Sequence, residues 1–212
     1  MRTAGSPSAP ADVRPLGLGA QRDGFLLVPA TERGRTGFPL VVAFHGAGGR
    51  ADQMIDLLAP QAARRGLLVL APDARRTTWD VIAGGYGPDV AFLDAALDRV
   101  VADVAVDAAR VAVAGFSDGA SYALSLGIAN GDLFTHVLAY SPGFAAPATS
   151  VGRPSLFISH GVADRVLPID RCTRRLVPLL QDDGYEVTYE EFAGGHTVPP
   201  EILDRSLTWL TR

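Results

Sequence analysis

The stretch over residues 110–127, RVAVAGFSDGASYALSLG, limits what this chain can fold into more than any other. Four apolar residues at 111–114 read as a short buried strand. It runs into Gly115-Phe116-Ser117-Asp118-Gly119 and then into a helix of small and apolar residues ending near 129. A serine flanked two residues away on each side by glycine, between a strand and a helix, is the pattern of a nucleophile elbow. The turn is so tight that those flanking positions leave no room for a side chain. Ser117 should therefore stand at the strand's end, above a helix N-terminus whose free N–H groups favour developing negative charge.

Around this unit the chain alternates strands with helices. Residues 1 to about 20 are rich in Pro, Gly, Ala and Ser, and are expected to form a mobile tail before a single domain over 21–212. Residues 25–28 read as an edge strand, followed by a polar loop through Arg35. Residues 40–44 form an apolar run suited to a strand covered on both faces, ending at His45-Gly46-Ala47-Gly48-Gly49. A helix over roughly 52–65, with Asp52 as candidate cap, stops at Gly66, and 67–71 is the next buried strand. Residues 72–88 read as a long irregular loop carrying Trp79 and Tyr86, and 89–104 as a helix opened by Asp89.

Beyond the elbow, strands are expected at 134–140, 156–159 and 185–192. A helix over about 169–183 should be kinked at Pro178, and Pro199 and Pro200 begin a last helix. The expected fold class is α/β, a mainly parallel sheet with helices on both faces. Only about fourteen residues, 141–154, join two of the late strands, too few for a large cap domain.

Composition closes off several kinds of function. With 48% hydrophobic and 20% charged residues among 212, the balance is that of a globular protein. A net charge of −4 leaves no basic stripe to meet phosphates, which argues against nucleic-acid binding. All 19 basic residues are Arg, so no lysine is available for Schiff-base chemistry. A single cysteine, Cys172, excludes an intramolecular disulfide and a Cys-rich metal site. No HExxH, CxxC or EF-hand spacing asks for a metal. No apolar run suits a signal peptide or approaches the roughly 20 residues of a membrane span, so a cytoplasmic location is the default expectation. Nothing in the composition sets an oligomeric state.

A reactive serine needs a base to take its proton and a carboxylate to fix the tautomer of that base. Of four histidines, His45 lies inside the first glycine-rich turn, His136 is placed on a strand as a core residue, and His160 reads as part of a turn. His196, between two glycines and a helix start, sits in a loop that can reach the elbow and is the candidate base. Among the carboxylates, Asp170 should cap a helix and Asp132 sits in a turn. Asp164 follows a strand that ends at the same edge of the sheet as Ser117, and is the candidate acid. An oxyanion needs two backbone N–H groups. Asp118 supplies one, and Ala47, with Gly46 or Gly48 as neighbours, the other. Trp79 and Tyr86 are expected to form one apolar wall of the cleft and Phe116 to lie beneath the serine.

Taken together, HGAGG at 45–49, GFSDGA at 115–120, HGVADRVLP at 160–168 and GGHTVPPEI at 194–202 resemble the α/β-hydrolase superfamily. Within it the chain is most similar to the small phospholipase/carboxylesterase family, with polyhydroxybutyrate-depolymerase-like esterases next. The resemblance spans about residues 23–212. It implies a serine hydrolase that cleaves small-molecule carboxylic esters and uses no cofactor. In one departure, Asp118 stands where that family's elbow usually carries Gln; the backbone N–H survives the change. The short connection at 141–154 implies an open cleft suited to short or medium acyl groups or an aryl group.

Two other readings compete. Gly46-x-Gly48-x-x-Ala51 follows a strand and precedes a helix, and Asp73 lies 22 residues beyond Ala51, which matches a dinucleotide fingerprint and a nicotinamide-dependent oxidoreductase. That reading leaves the elbow, HGVAD and GGH unused. The other is a hydrolase fold retained as a non-catalytic binding protein.

Overall fold

The computed structural model describes residues 11–19, 21–30 and 36–212. Among the described residues, eight strands form one sheet in the order β1-β2-β4-β3-β5-β6-β7-β8. In chain order these are β1 (Asp12–Pro15), β2 (Gly24–Val28), β3 (Phe38–Phe44), β4 (Leu68–Pro72), β5 (Val106–Phe116), β6 (His136–Tyr140), β7 (Ser155–Gly161) and β8 (Val187–Phe192). The α-helices among the described residues are α1 (Ala51–Arg65), α2 (Pro88–Asp103), α3 (Asp118–Ala129), α4 (Thr173–Asp182) and α5 (Pro200–Leu210). β1 and β2 pair antiparallel, β2 meets β4 antiparallel, and every pairing from β4 to β8 is parallel. The expected mainly parallel sheet with helices on both faces is the one found.

Every residue of β3 and β4 is buried, which is why these strands read as unbroken apolar runs rather than alternating ones. α2, α3 and α4 cover one face, where Leu93, Leu124 and Val177 join the core. α1 and α5 cover the other through Met54, Leu58 and Leu207. After β4 the chain crosses to the far side of β3 to lay down β5. The order of winding therefore reverses beside β3, and a crevice opens at the carboxyl ends of β3 and β5. Both glycine-rich turns lie there, with Phe44 and Gly115 paired across the two strands.

Several expectations are corrected. Asp12–Pro15, assigned to the mobile tail, is the edge strand, so 25–28 lies one position inside it. Residues 1–10 and 20 of that tail, and 31–35 of the following loop, lie outside the described residues. The segment 72–88 is not irregular throughout, because Asp80–Ala83 form a 3-10 turn. Two carboxylates brace it: Asp80 accepts from the Gly87 and Asp89 amides, and Asp89 from those of Arg75 and Asp80. The helix expected over 169–183 is divided into a 3-10 turn at Ile169–Arg171 and α4. Asp52 sits in the first turn of α1, but the N-terminal amide of Ala51 is taken by Asp73 Oδ1 at 2.7 Å.

Candidate active site

Ser117 is the residue at which β5 turns into α3, and its backbone is held at φ 58 and ψ −121, a left-handed conformation that non-glycine residues seldom adopt. The glycines around it are there for lack of space. A Cβ on Gly115 would collide with the carbonyl of Gly119, and one on Gly119 with the carbonyls of Phe44 and His45. The Ser117 amide donates to Tyr140 O at 3.0 Å, tying the turn to β6. Strand, turn and helix thus push the hydroxyl into the crevice.

His196 Nε2 lies 2.8 Å from Ser117 Oγ, and His196 Nδ1 lies 2.6 Å from Asp164 Oδ2. A carboxylate can only accept, so Nδ1 carries the proton and Nε2 is free to accept from the serine. Asp164 Oδ1 accepts from the amides of Val166 and Leu167 at 2.8 and 2.9 Å. Burial alone would raise the pKa of this carboxyl, but His196 and the two amides outweigh it and hold it below the ordinary value. The two loops that bring the pair together are laced: the amides of Val162 and Ala163 donate to Phe192 O and Gly194 O. A Cβ on Gly161 would strike the Gly194 and Gly195 carbonyls, so GGH packs directly on the end of β7.

The turn after β3 is built differently. His45 Nδ1 donates to Gly46 O at 2.7 Å, while its Nε2 accepts from the Ala74 amide at 3.0 Å. Burial lowers the pKa of this ring, in keeping with a neutral imidazole. The Gly48 amide is taken by Thr77 O, and the Gly49 amide by Gly46 O. A trans peptide points its C=O and N–H in opposite directions, so turning the Gly46 carbonyl toward His45 turns the Ala47 N–H away from it. Gly46 itself lies against the nucleophile turn, where a Cβ would sit 3.3 Å from Ser117 Cβ. The Asp118 carboxylate is engaged elsewhere, accepting from Thr78 Oγ1 at 2.7 Å.

The structure separates the two residues expected to form the aromatic wall. Tyr86 is partly exposed, lines a cavity of about 480 Å³ with Thr77 and Thr78, and donates to Ala146 O at 2.6 Å. Trp79 is only 1% exposed. It stacks on Tyr122, meets Phe44 edge-on and donates its indole N–H to His45 O, so it supports the turn from below instead of lining the cleft. Phe116 lies beside the candidate base, with its ring centroid 4.7 Å from that of His196. It lines a second cleft of about 240 Å³ with Gly46, Met54, Leu57, His196 and Val198. Met54, Leu57, Val198 and Thr78 were missed from sequence, where nothing separates them from ordinary helix and loop residues. His160 is also not a turn residue: it lies within β7, next to its last residue, fully buried, with Nε2 2.8 Å from Leu167 O.

Asp73 is spent on capping α1 and is 2% exposed, so the dinucleotide reading loses its ribose partner. Among the described residues no cluster of three or more His, Cys, Asp or Glu is arranged to hold a metal, and no helix is long and apolar enough to cross a membrane.

No family model matches the chain. It is 28% identical over 192 residues to a probable feruloyl esterase C of Aspergillus niger, covering 87% of this chain and 65% of that protein. It is 30% identical over 139 residues to feruloyl esterase C of Emericella nidulans, covering 62% and 50% of the two chains. The chain thus spans between half and two thirds of the length of these relatives. The crystal structure of esterase PE8 superposes with a TM-score of 0.72 at 24% identity, over 90% of this chain and 98% of that one. With the crossover beside β3, the strained serine at the end of β5 and this likeness in hand, the chain belongs to the α/β-hydrolase superfamily.

Proposed function

We propose that the protein is a serine hydrolase of carboxylic esters that works through an acyl-enzyme. The observation that carries this reading is the unbroken chain of hydrogen bonds from Ser117 Oγ through His196 to Asp164, at 2.8 and 2.6 Å. In the first half-reaction Ser117 attacks the ester carbonyl while His196 Nε2 takes its proton. Asp164 holds His196 in the right tautomer and stabilises the imidazolium. The N–H groups of Asp118 and Ala47 bind the oxyanion, while the Asp118 carboxylate accepts from Thr78 Oγ1. His196 then protonates the departing alcohol, and a water activated by the same imidazole releases the acid.

The proposed substrates are esters of aryl or short to medium acyl groups. Relatives named for feruloyl ester cleavage favour the aryl acids among them, and the cavity beside Tyr86 and Thr78 has the volume to hold such a ring. We also propose kinship with the small phospholipase/carboxylesterase family, on the motifs at 45–49, 115–120, 160–168 and 194–202. The test is to treat the protein with a fluorophosphonate, locate the adduct by mass spectrometry, and assay p-nitrophenyl esters of increasing acyl length beside methyl ferulate. Labelling of Ser117 with turnover of at least one ester is expected. An unlabelled serine with no hydrolysis would overturn the reading in favour of a binding protein.

A further inference from the structure

His160 is buried, stands outside the three residues of the proposed mechanism, and is not explained by packing alone. Its Nε2 lies 2.8 Å from Leu167 O and 3.2 Å from Asp164 Oδ2, and its Nδ1 is buried with no hydrogen-bond partner among the described residues. Since Leu167 O can only accept, the ring proton sits on Nε2, and that N–H is shared between the carbonyl and the carboxylate. We propose that His160 is a positioning residue for the acid of the site: its Nε2–H holds in place the Asp164 oxygen that meets His196.

The carboxylate then receives four N–H groups. Oδ1 takes the amides of Val166 and Leu167, and Oδ2 takes His160 and His196. The two amides alone would leave the carboxylate free to pivot about Oδ1, and the second histidine closes that freedom. A protonated ring would place a second N–H, at Nδ1, where nothing accepts it. Burial accordingly lowers the pKa of His160, so it donates as a neutral ring and adds no charge beside the imidazolium that His196 must become.

The charged and titratable groups around the ring are few. Asp164 and His196 lie on the site side and Cys172 beyond Asp164. Glu191, the partner of His160 in the β7–β8 register, is neutralised by Arg174 at 2.6 Å. Sharing of a donor between Leu167 O and Asp164 also ties the 164–167 turn to the strand end, so the acid's loop and its oxygen are fixed by the same proton.

The inference rests on the proposed mechanism for its kinetic consequence but not for its spectroscopic one. Two amide variants separate the donor from the ring: His160→Gln can place an N–H near the Nε2 position, whereas His160→Asn ends near Nδ1. A proton held between imidazole and carboxylate at 2.6 Å gives a far-downfield resonance in the ¹H spectrum, readable without substrate. The Asn variant is expected to lose or broaden that resonance and to lower kcat about tenfold with KM unchanged, and the Gln variant to restore most of both. Equal behaviour of the two variants, or an Asn variant with the wild-type resonance and kcat, would overturn the proposal. If Asn prevents folding, a Gln variant that folds but lacks the resonance overturns it, and one that keeps it supports it. A wild-type protein that shows the resonance but cleaves no ester sinks the proposed function and leaves this inference standing.

Discussion

The two glycine-rich turns, 45–49 after β3 and 115–119 after β5, lie side by side and both feed a helix, yet they are held by opposite means. The elbow is shaped by exclusion: Gly115 and Gly119 are where they are because neighbouring carbonyls occupy the space of a side chain. The other turn is shaped by hydrogen bonds, from His45 and Gly49 to Gly46 O and from Gly48 to Thr77 O, and its Gly48 at φ 69 has open space where a Cβ would be. Sterics can pin a reacting atom rigidly at the cost of tolerating almost no substitution. Hydrogen bonds can aim a backbone donor while leaving the surrounding residues freer to change. In the mechanism proposed for this site, the first serves the nucleophile and the second the oxyanion.

This contrast can be broken or sharpened by substitution. Ser117→Ala should lower kcat by about 10⁴ or more in an ester assay, with the melting temperature little changed, because only the hydroxyl is removed and the backbone conformation is kept. A variant with near-wild-type turnover would remove the elbow from the chemistry. Gly119→Ala should cost about 3 kcal/mol or more in denaturant unfolding, since its methyl meets backbone rather than a side chain that can move. A neutral result there would end the claim that exclusion shapes this turn. His45→Phe should lower kcat by about 10²-fold with KM little changed, the mark of a donor lost from the transition state. A rise in KM alone would show that His45 only supports the pocket. Gly48→Ala should cost only about 1 kcal/mol, the conformational penalty of a positive φ without a collision.

The smallest effect is shared by both sides of the sheet edge. Burial lowers the pKa of His45, His136 and His160 below the ordinary 6.5, so the folded chain keeps them neutral while the unfolded chain takes up protons. The stability they give is full above about pH 6.5 and is lost as pH falls from there toward the folded-state values. Urea unfolding at pH 7.5 and 5.5 should show a lower midpoint at the acid pH, and equal midpoints would contradict the neutral assignment.

What could be read from sequence was whatever local spacing encodes. Gly115, Ser117 and Gly119 carry their own steric argument. Asp164 and His196 follow strand ends that must lie at the same edge once the sheet is parallel. What escaped depends on residues far apart in the chain. Asp12–Pro15 has a mostly exposed, partly charged surface and is a strand because β2 offers it partners. Trp79 looked like a cleft residue because nothing nearby announces that Phe44 and Tyr122 enclose it. Asp73 fitted a ribose position by count alone, and the structure spends it on the first amide of α1. His160 escaped because its meaning depends on how the 164–167 turn folds back on the strand before it.

α3 begins at Asp118, and its Ser121 and Ser125 hydroxyls accept the amides of Gly143 and Ala146, while Tyr86 reaches across to the Ala146 carbonyl. One rod therefore carries the proposed nucleophile, Ser117, at its tip and braces the 143–146 loop along its flank. Such a frame has no hinge between entrance and reaction centre, so turnover should follow solvent viscosity only as far as diffusion to the mouth requires. Evolution of new ester preferences in this scaffold would then proceed by exchanging side chains along the rim, with the brace itself left untouched.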